Sequence, residues 1–254
     1  MIMDKHWRWN SNYAWHYFSS MKYEEALVAA TKSEFMRYHH LRSCIFFSVA
    51  CVETFLNVKM KDFMGKNGSS DEEVLKEIKI RKLKDKLKKW PKAISGKDIK
   101  IPLEIKSTID IYEDLRHDIV HVKPLDHSFY LKLDDVEPEA ITDAVARLMV
   151  TVHSSLDEEF PYWLLGWNYI GLNGSLAQVM EMNNYNSFMY SLRNLGFRLN
   201  GSVTPQEWIK RAMVNIKGYE MLKQALDGLE VDIEPEIPRF PHMPRLTRKW
   251  WAYQ

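Results

Sequence analysis

Leu115-Arg116-His117-Asp118-Ile119-Val120-His121-Val122 is dense in side chains that handle protons and phosphate. The octet closes an amphipathic helix, and Lys123-Pro124 is where that helix is expected to stop. Upstream of it, Ile105, Ile109, Tyr112, Leu115, Ile119 and Val122 recur at three and four residues and predict one buried stripe. At about 100° per residue, Asp110, Asp114, His117 and His121 share the opposite face. Arg116 lies near the edge of the buried stripe, about 140° from His121. Pro102 suits the first turn of this helix.

Outward from the octet the pattern stays helical. The chain has 10 Gly and 10 Pro in 254 residues, and long runs lack both, which favours helices. Residues 20–64 contain neither until the loop that starts at Gly65, and a break near Thr31–Arg37 divides them into two helices. The second is the more apolar. Its run Leu41, Ile45, Phe46, Val49, Val52, Phe55, Leu56 marks a core helix. Glu53 lies within that apolar run, so it needs a cationic partner or a cleft. Asn57 follows one turn later on the same face. Ser70-Asp71-Glu72-Glu73 is a capping box that opens the next helix.

From Lys76 to Lys100 there are 11 basic and 3 acidic residues, so the rest of the chain carries about −7 to give the net charge of +1. Ile80, Leu83, Leu87 and Trp90 keep helical spacing there, which predicts an amphipathic helix with a lysine-rich outer face. Such a face neutralises phosphates, or is simply solvated. Ser95-Gly96-Lys97-Asp98 reads as a turn. Residues 125–136 read as a connector with strand-like content at Phe129, Tyr130, Leu131 and Leu133. Pro138 opens a further helix with Ile141, Val145, Leu148, Met149 and Val152 inward, ending near Phe160-Pro161.

The fold class expected is therefore all-α. Residues 1–160 form an up-and-down bundle of four or five helices, with an aromatic N-terminal arm (Trp7, Trp9, Tyr13, Trp15, Tyr17, Phe18) docked on its own domain. Residues 161–254 form a smaller C-terminal helical extension. That extension has capping boxes at Ser175–Gln178 and Thr204–Glu207, a Pro-rich segment at 232–244, and a basic-aromatic tail with Arg239, Arg245, Arg248, Lys249 and Trp250-Trp251 that reads as a strap on the bundle.

Several classes are set aside. Cys44 and Cys51 lie seven apart on one helix, roughly 10 Å along its axis, so they read as core residues and not as a disulfide. Met1 to Trp7 lacks the apolar run of a signal peptide. The stretch Cys44–Leu56 is too short to span a bilayer and contains Glu53. A cytoplasmic protein with no membrane contact is expected. There is no Gly-x-Ser-x-Gly, no Gly-rich phosphate loop and no zinc cysteine pair.

Arg116-His117-Asp118-Ile119-Val120-His121 resembles the Arg-polar-x-x-x-His motif of HEPN-domain ribonucleases. In that family the motif lies near the end of a late bundle helix, and an upstream apolar helix carries a Glu followed one turn later by an Asn, like Glu53 and Asn57. The resemblance covers roughly residues 20–160. Arg147 and His153, five residues between them, do not fit it, because Leu148 follows the arginine on an apolar helix. The resemblance implies metal-independent RNA cleavage through the RNA's own 2′-hydroxyl, with no cofactor, in a homodimer whose paired motifs face each other. It implies His121 as acid/base, Arg116 as phosphate anchor, His117 at the polar position, and Glu53 orienting Arg116 or His121. Asn57, Asp118, Lys86 and Lys89 are the candidate substrate contacts. A role as toxin or phage-defence effector, with an antitoxin or other partner protein, is a family expectation. Since Arg116 and His121 diverge on an ideal helix, the helix end must be distorted or two subunits must share the cleft.

Two other readings fit the same residues. A non-catalytic HEPN-like module for RNA, nucleotide or protein has Arg116 paired structurally to Glu53 and His121 favoured at a helix C-terminus. A metal-dependent phosphohydrolase of the helical His-Asp kind uses Asp110, Asp114, His117, Asp118 and His121, with His39-His40 upstream.

Overall fold

The structure, a computed structural model, describes residues 13–121, 128–158, 161, 164 and 215–220. No strand occurs among the described residues, and the all-α class holds. Among the described residues seven α-helices lie between residues 13 and 155, more than the four or five expected, and residues 216–220 add a short helical stretch. Trp7 and Trp9, the capping boxes at 175–178 and 204–207, and the basic-aromatic tail lie outside the described residues. The chain divides into two compact units, Met1–Val145 and Ala146–Gln254, whereas the sequence reading divides it after residue 160.

The first unit is built around α2 (Glu34–Lys66), which packs against α1 (Tyr13–Ala30), α3 (Asp71–Ile80), α4 (Leu83–Ser95), α5 (Leu103–Val120) and α6 (Ser128–Asp134). The chain leaves α1 at Thr31, and Ser33 caps α2 by accepting a hydrogen bond from the Met36 N–H. α1 and α2 form an antiparallel pair. The Cys44 thiol donates to the Met21 carbonyl at 3.6 Å and the Cys51 thiol to the Ala14 carbonyl at 3.1 Å. Both cysteines are free and buried, and burial pushes both thiols up, which leaves them inert. Trp15, Tyr17 and Phe18, expected in a docked arm, are the opening turns of α1, and Phe18 is fully buried.

α2 has the length and composition to cross a membrane, but half of its most apolar window is buried in the protein. Leu41, Cys44, Ile45, Val49, Val52, Phe55 and Leu56 form its inner face. Phe46, expected in that face, is instead 38% exposed.

Three elements differ from the sequence expectation. The lysine-rich helix is two helices, because Arg81 and Lys82 adopt extended backbone between α3 and α4. Ile80 is therefore exposed at the end of α3, while Leu83, Leu87 and Trp90 are buried on α4. The expected strand-like connector is helical over Ser128–Asp134, with Phe129 and Leu133 inward. α7 (Pro138–Ser155) ends five residues before Phe160.

Other signals held. Ser70 and Glu73 form the full capping box of α3. Gly96 closes α4 at φ 67°, a left-handed position that suits glycine. Pro102 stands at the N-cap position of α5, one residue before its first turn; Ile105, Ile109, Tyr112 and Leu115 form the buried stripe, Ile119 is only half-buried, and Val122 lies outside the described residues. Burial pushes the Tyr112 phenol up to about 12.

Since α2 meets five helices, shortening one of its fully buried residues should be felt across the unit. Leu56→Ala is expected to cost about 2–5 kcal/mol in urea unfolding. A loss below ~1 kcal/mol would show that the other helices fold without α2 as their common support.

Candidate functional site

α4 carries a lysine in its buried stripe. Leu83, Lys86, Leu87 and Trp90 recur at helical spacing, and all four face inward. The Lys86 ammonium, 1% exposed, meets two acceptors from one face of α2: Glu53 Oε1 at 2.6 Å and Asn57 Oδ1 at 2.9 Å. It also lies 5.2 Å from the centroid of the Trp90 ring. The network continues into α3, where Glu77 accepts from Trp90 Nε1 at 3.0 Å and from Arg81 Nε. The Arg81 contact, then that of Trp90, holds the Glu77 carboxyl below the usual carboxylate range.

This arrangement corrects two expectations. Lys86 cannot touch a substrate, because it is buried, and Asn57 spends its carbonyl on it. Glu53 orients neither Arg116 nor His121, since its carboxylate is held by Lys86. Lys89, on the outer side of α4, is exposed and open to a phosphate.

Arg116 therefore lies elsewhere. Its guanidinium sits over the Phe46 ring of α2, with Cζ 5.8 Å from the centroid. His117 and His121 are both exposed, and their rings lie 4.5 Å apart at 51°. α5 ends at Val120. His121 is its C-cap, with φ −104° and ψ 75°, and its N–H donates to the His117 carbonyl at 2.9 Å. The end of α5 keeps its i→i−4 bond, so His117 and His121 meet as one-turn neighbours on the face expected of them, and the distortion that would carry His121 to Arg116 is not seen. A single chain does not bring the phosphate anchor and the acid/base to one point.

Two cations flank the motif. Lys132 of α6 reaches Asp118 Oδ2 at 3.4 Å, and Lys84 of α4 donates to Asp114 Oδ1 at 2.9 Å. The end of α5 thus gathers Arg116, His117, His121 and Lys132 beside exposed surface, with Lys84 one turn back. Sequence reasoning missed Phe46, Lys132 and Lys84, all brought in by tertiary packing.

The metal reading gains no ligand set. Among the described residues no group of three or more His, Cys, Asp or Glu side chains is placed to hold an ion. Asp114 is paired to Lys84, and His40 Nδ1 is 2.7 Å from Glu24 Oε2, a contact between α1 and α2. In the second unit, Arg147 pairs with Glu220 at 2.8 Å and His153 with Glu158 at 3.1 Å, so these two residues serve separate structural contacts.

Along α5, the atoms Asp110 Oδ1 and Glu113 Oε2 are covered and find no hydrogen-bond partner among the described residues. Burial pushes the Glu113 carboxyl up. Lys84 opposes that shift, while Asp110, Asp114 and Glu53 add to it. A carboxyl raised in the folded state destabilises the fold above its folded pKa, and that penalty disappears as pH falls below the ordinary carboxylate value. Glu113→Gln is therefore expected to raise the melting temperature by a few degrees at pH 7 and to have no effect below about pH 4. Equal stability of the two proteins at pH 7 would contradict the assignment.

Comparison of the chain with models of known protein families gives no match, and comparisons with curated proteins and with solved structures give none either.

Proposed function

We propose that this protein is a metal-independent endoribonuclease of HEPN type that acts as a homodimer on cytoplasmic RNA. One observation carries the reading: Arg116 and the His117–His121 pair stand at the same exposed helix end, and Arg116 is not neutralised by Glu53. A guanidinium that keeps its charge and its donors is suited to clamp a phosphodiester in a bidentate way. A histidine titrates in the range where it both takes and returns a proton.

In the proposed reaction the 2′-oxygen attacks the adjacent phosphorus. His121 removes the 2′-hydroxyl proton, Arg116 stabilises charge on the phosphoryl oxygens, and the bond to the 5′-oxygen breaks. The products are a 2′,3′-cyclic phosphate and a 5′-hydroxyl, with the proton returned to the leaving oxygen. Because His121 of one chain does not meet Arg116 of the same chain, the proposal places the two α5 ends of a dimer together. Lys89 and Lys132 extend the cationic surface that RNA crosses. The family role in toxin–antitoxin or phage-defence systems, with an antitoxin partner, is part of this proposal.

A second reading is favoured by the position of His121. Its ring rests on His117 at a helix C-terminus, where a cationic imidazole is favourable. That arrangement serves an RNA- or protein-binding module equally well.

The test is RNA cleavage by purified protein in excess EDTA, with light scattering to fix the oligomeric state. The wild type is expected to be dimeric and to cleave. His121→Ala is expected to lose about 10²-fold or more, and Arg116→Lys to lose activity because a point charge does not replace the fork. Activity abolished by EDTA would favour the metal enzyme. A folded wild type that cleaves no RNA would leave the binding module.

A further inference from the structure

Phe46 is out of place on α2. Its neighbour Ile45 is fully buried and belongs to the core, yet Phe46 keeps more than a third of its surface in solvent. Its exposed ring is the one that carries a cation, the guanidinium of Arg116.

Its surroundings are aromatic. Phe46 meets the Phe47 ring edge-on at 5.7 Å, and Phe47 in turn stacks on Tyr17 of α1 at 6.3 Å. The row Tyr17–Phe47–Phe46 therefore runs from α1 across α2 and ends under the guanidinium of Arg116. Among the described residues the Arg116 guanidinium makes no hydrogen bond or ion pair. Contact with an aromatic face leaves the in-plane N–H groups of a guanidinium available, whereas a carboxylate partner would occupy two of them and cancel the charge. The aromatic seat also limits the rotamers of a side chain that is otherwise costly to order.

We propose that Phe46 is a positioning residue for Arg116: its ring seats the guanidinium and leaves the N–H donors free for an oxyanion, here a phosphodiester of single-stranded RNA. The proposal rests on the ribonuclease reading for its substrate, but binding alone also reports on it. Phe46 touches no reacting atom. It acts by keeping Arg116 in one geometry, so that a bound phosphate meets a preorganised fork.

The experiment compares wild type with Phe46→Leu and Phe46→Tyr, each alone and combined with Arg116→Lys. Two readouts are taken on the full chain: affinity for a labelled single-stranded oligoribonucleotide, and steady-state cleavage of the same RNA. Melting temperatures confirm that each variant is folded. Phe46→Leu is expected to weaken binding by about three- to fivefold and to lower kcat by about tenfold. Phe46→Tyr keeps an aromatic face and should restore both. In the Arg116→Lys background Phe46→Leu should change neither, because the fork it serves is gone. The proposal is overturned if Phe46→Leu binds and cleaves like wild type, if Phe46→Tyr is as impaired as Phe46→Leu, or if the loss is the same with Arg116→Lys present. If wild type binds but does not cleave, the ribonuclease reading fails while the binding comparison still decides the role of Phe46. If wild type does not bind the RNA, both fail.

Discussion

The ammonium of Lys86, buried between Glu53 and Asn57, is the contact on which the arrangement of the first unit depends. A charge removed from water must find a partner, and losing that partner is far more costly than never having buried the pair. Lys86 therefore fixes the register of α4 on α2: only one rotation and one height put Nζ within reach of two acceptors one turn apart. Trp90 and Glu77 carry the same constraint on to α3. Apolar burial supplies the drive for these helices to associate, and the polar network selects which faces meet.

The same contact has a consequence at the other end of the unit. Glu53 is spent on Lys86, so Arg116 is left without an acidic partner and settles on Phe46. Lys132 and Lys84 neutralise Asp118 and Asp114 and tie α6 and α4 to α5.

Much of this was legible in the sequence wherever a local signal decides the outcome. The break before α2, the Ser70 capping box, Gly96 and Pro102 act through a few neighbouring residues, and each stands where its chemistry placed it. The stripe of α5 could be read because periodicity encodes burial directly. The break at Arg81–Lys82 has no glycine, proline or side-chain cap to announce it. α6 is built from residues such as Phe129 and Tyr130 that favour strands, and tertiary packing overrides that preference. The site was harder to read. Arg116, His117 and His121 lie on one helix end and could be named. The partner of Glu53 is a choice among the cations of other helices, and sequence distance does not rank them. One clue was present: Lys86 occupies the same stripe as Leu83, Leu87 and Trp90, where a lysine is buried only if something receives its charge.

The most direct test of this account is a pair of double-mutant cycles on unfolding free energy, Glu53→Gln with Lys86→Met and Glu53→Gln with Arg116→Met. The account predicts a coupling of about 1–3 kcal/mol in the first cycle and none beyond about 0.5 kcal/mol in the second. A strong coupling between Glu53 and Arg116, with little between Glu53 and Lys86, would contradict it and would return Arg116 to a structural salt bridge.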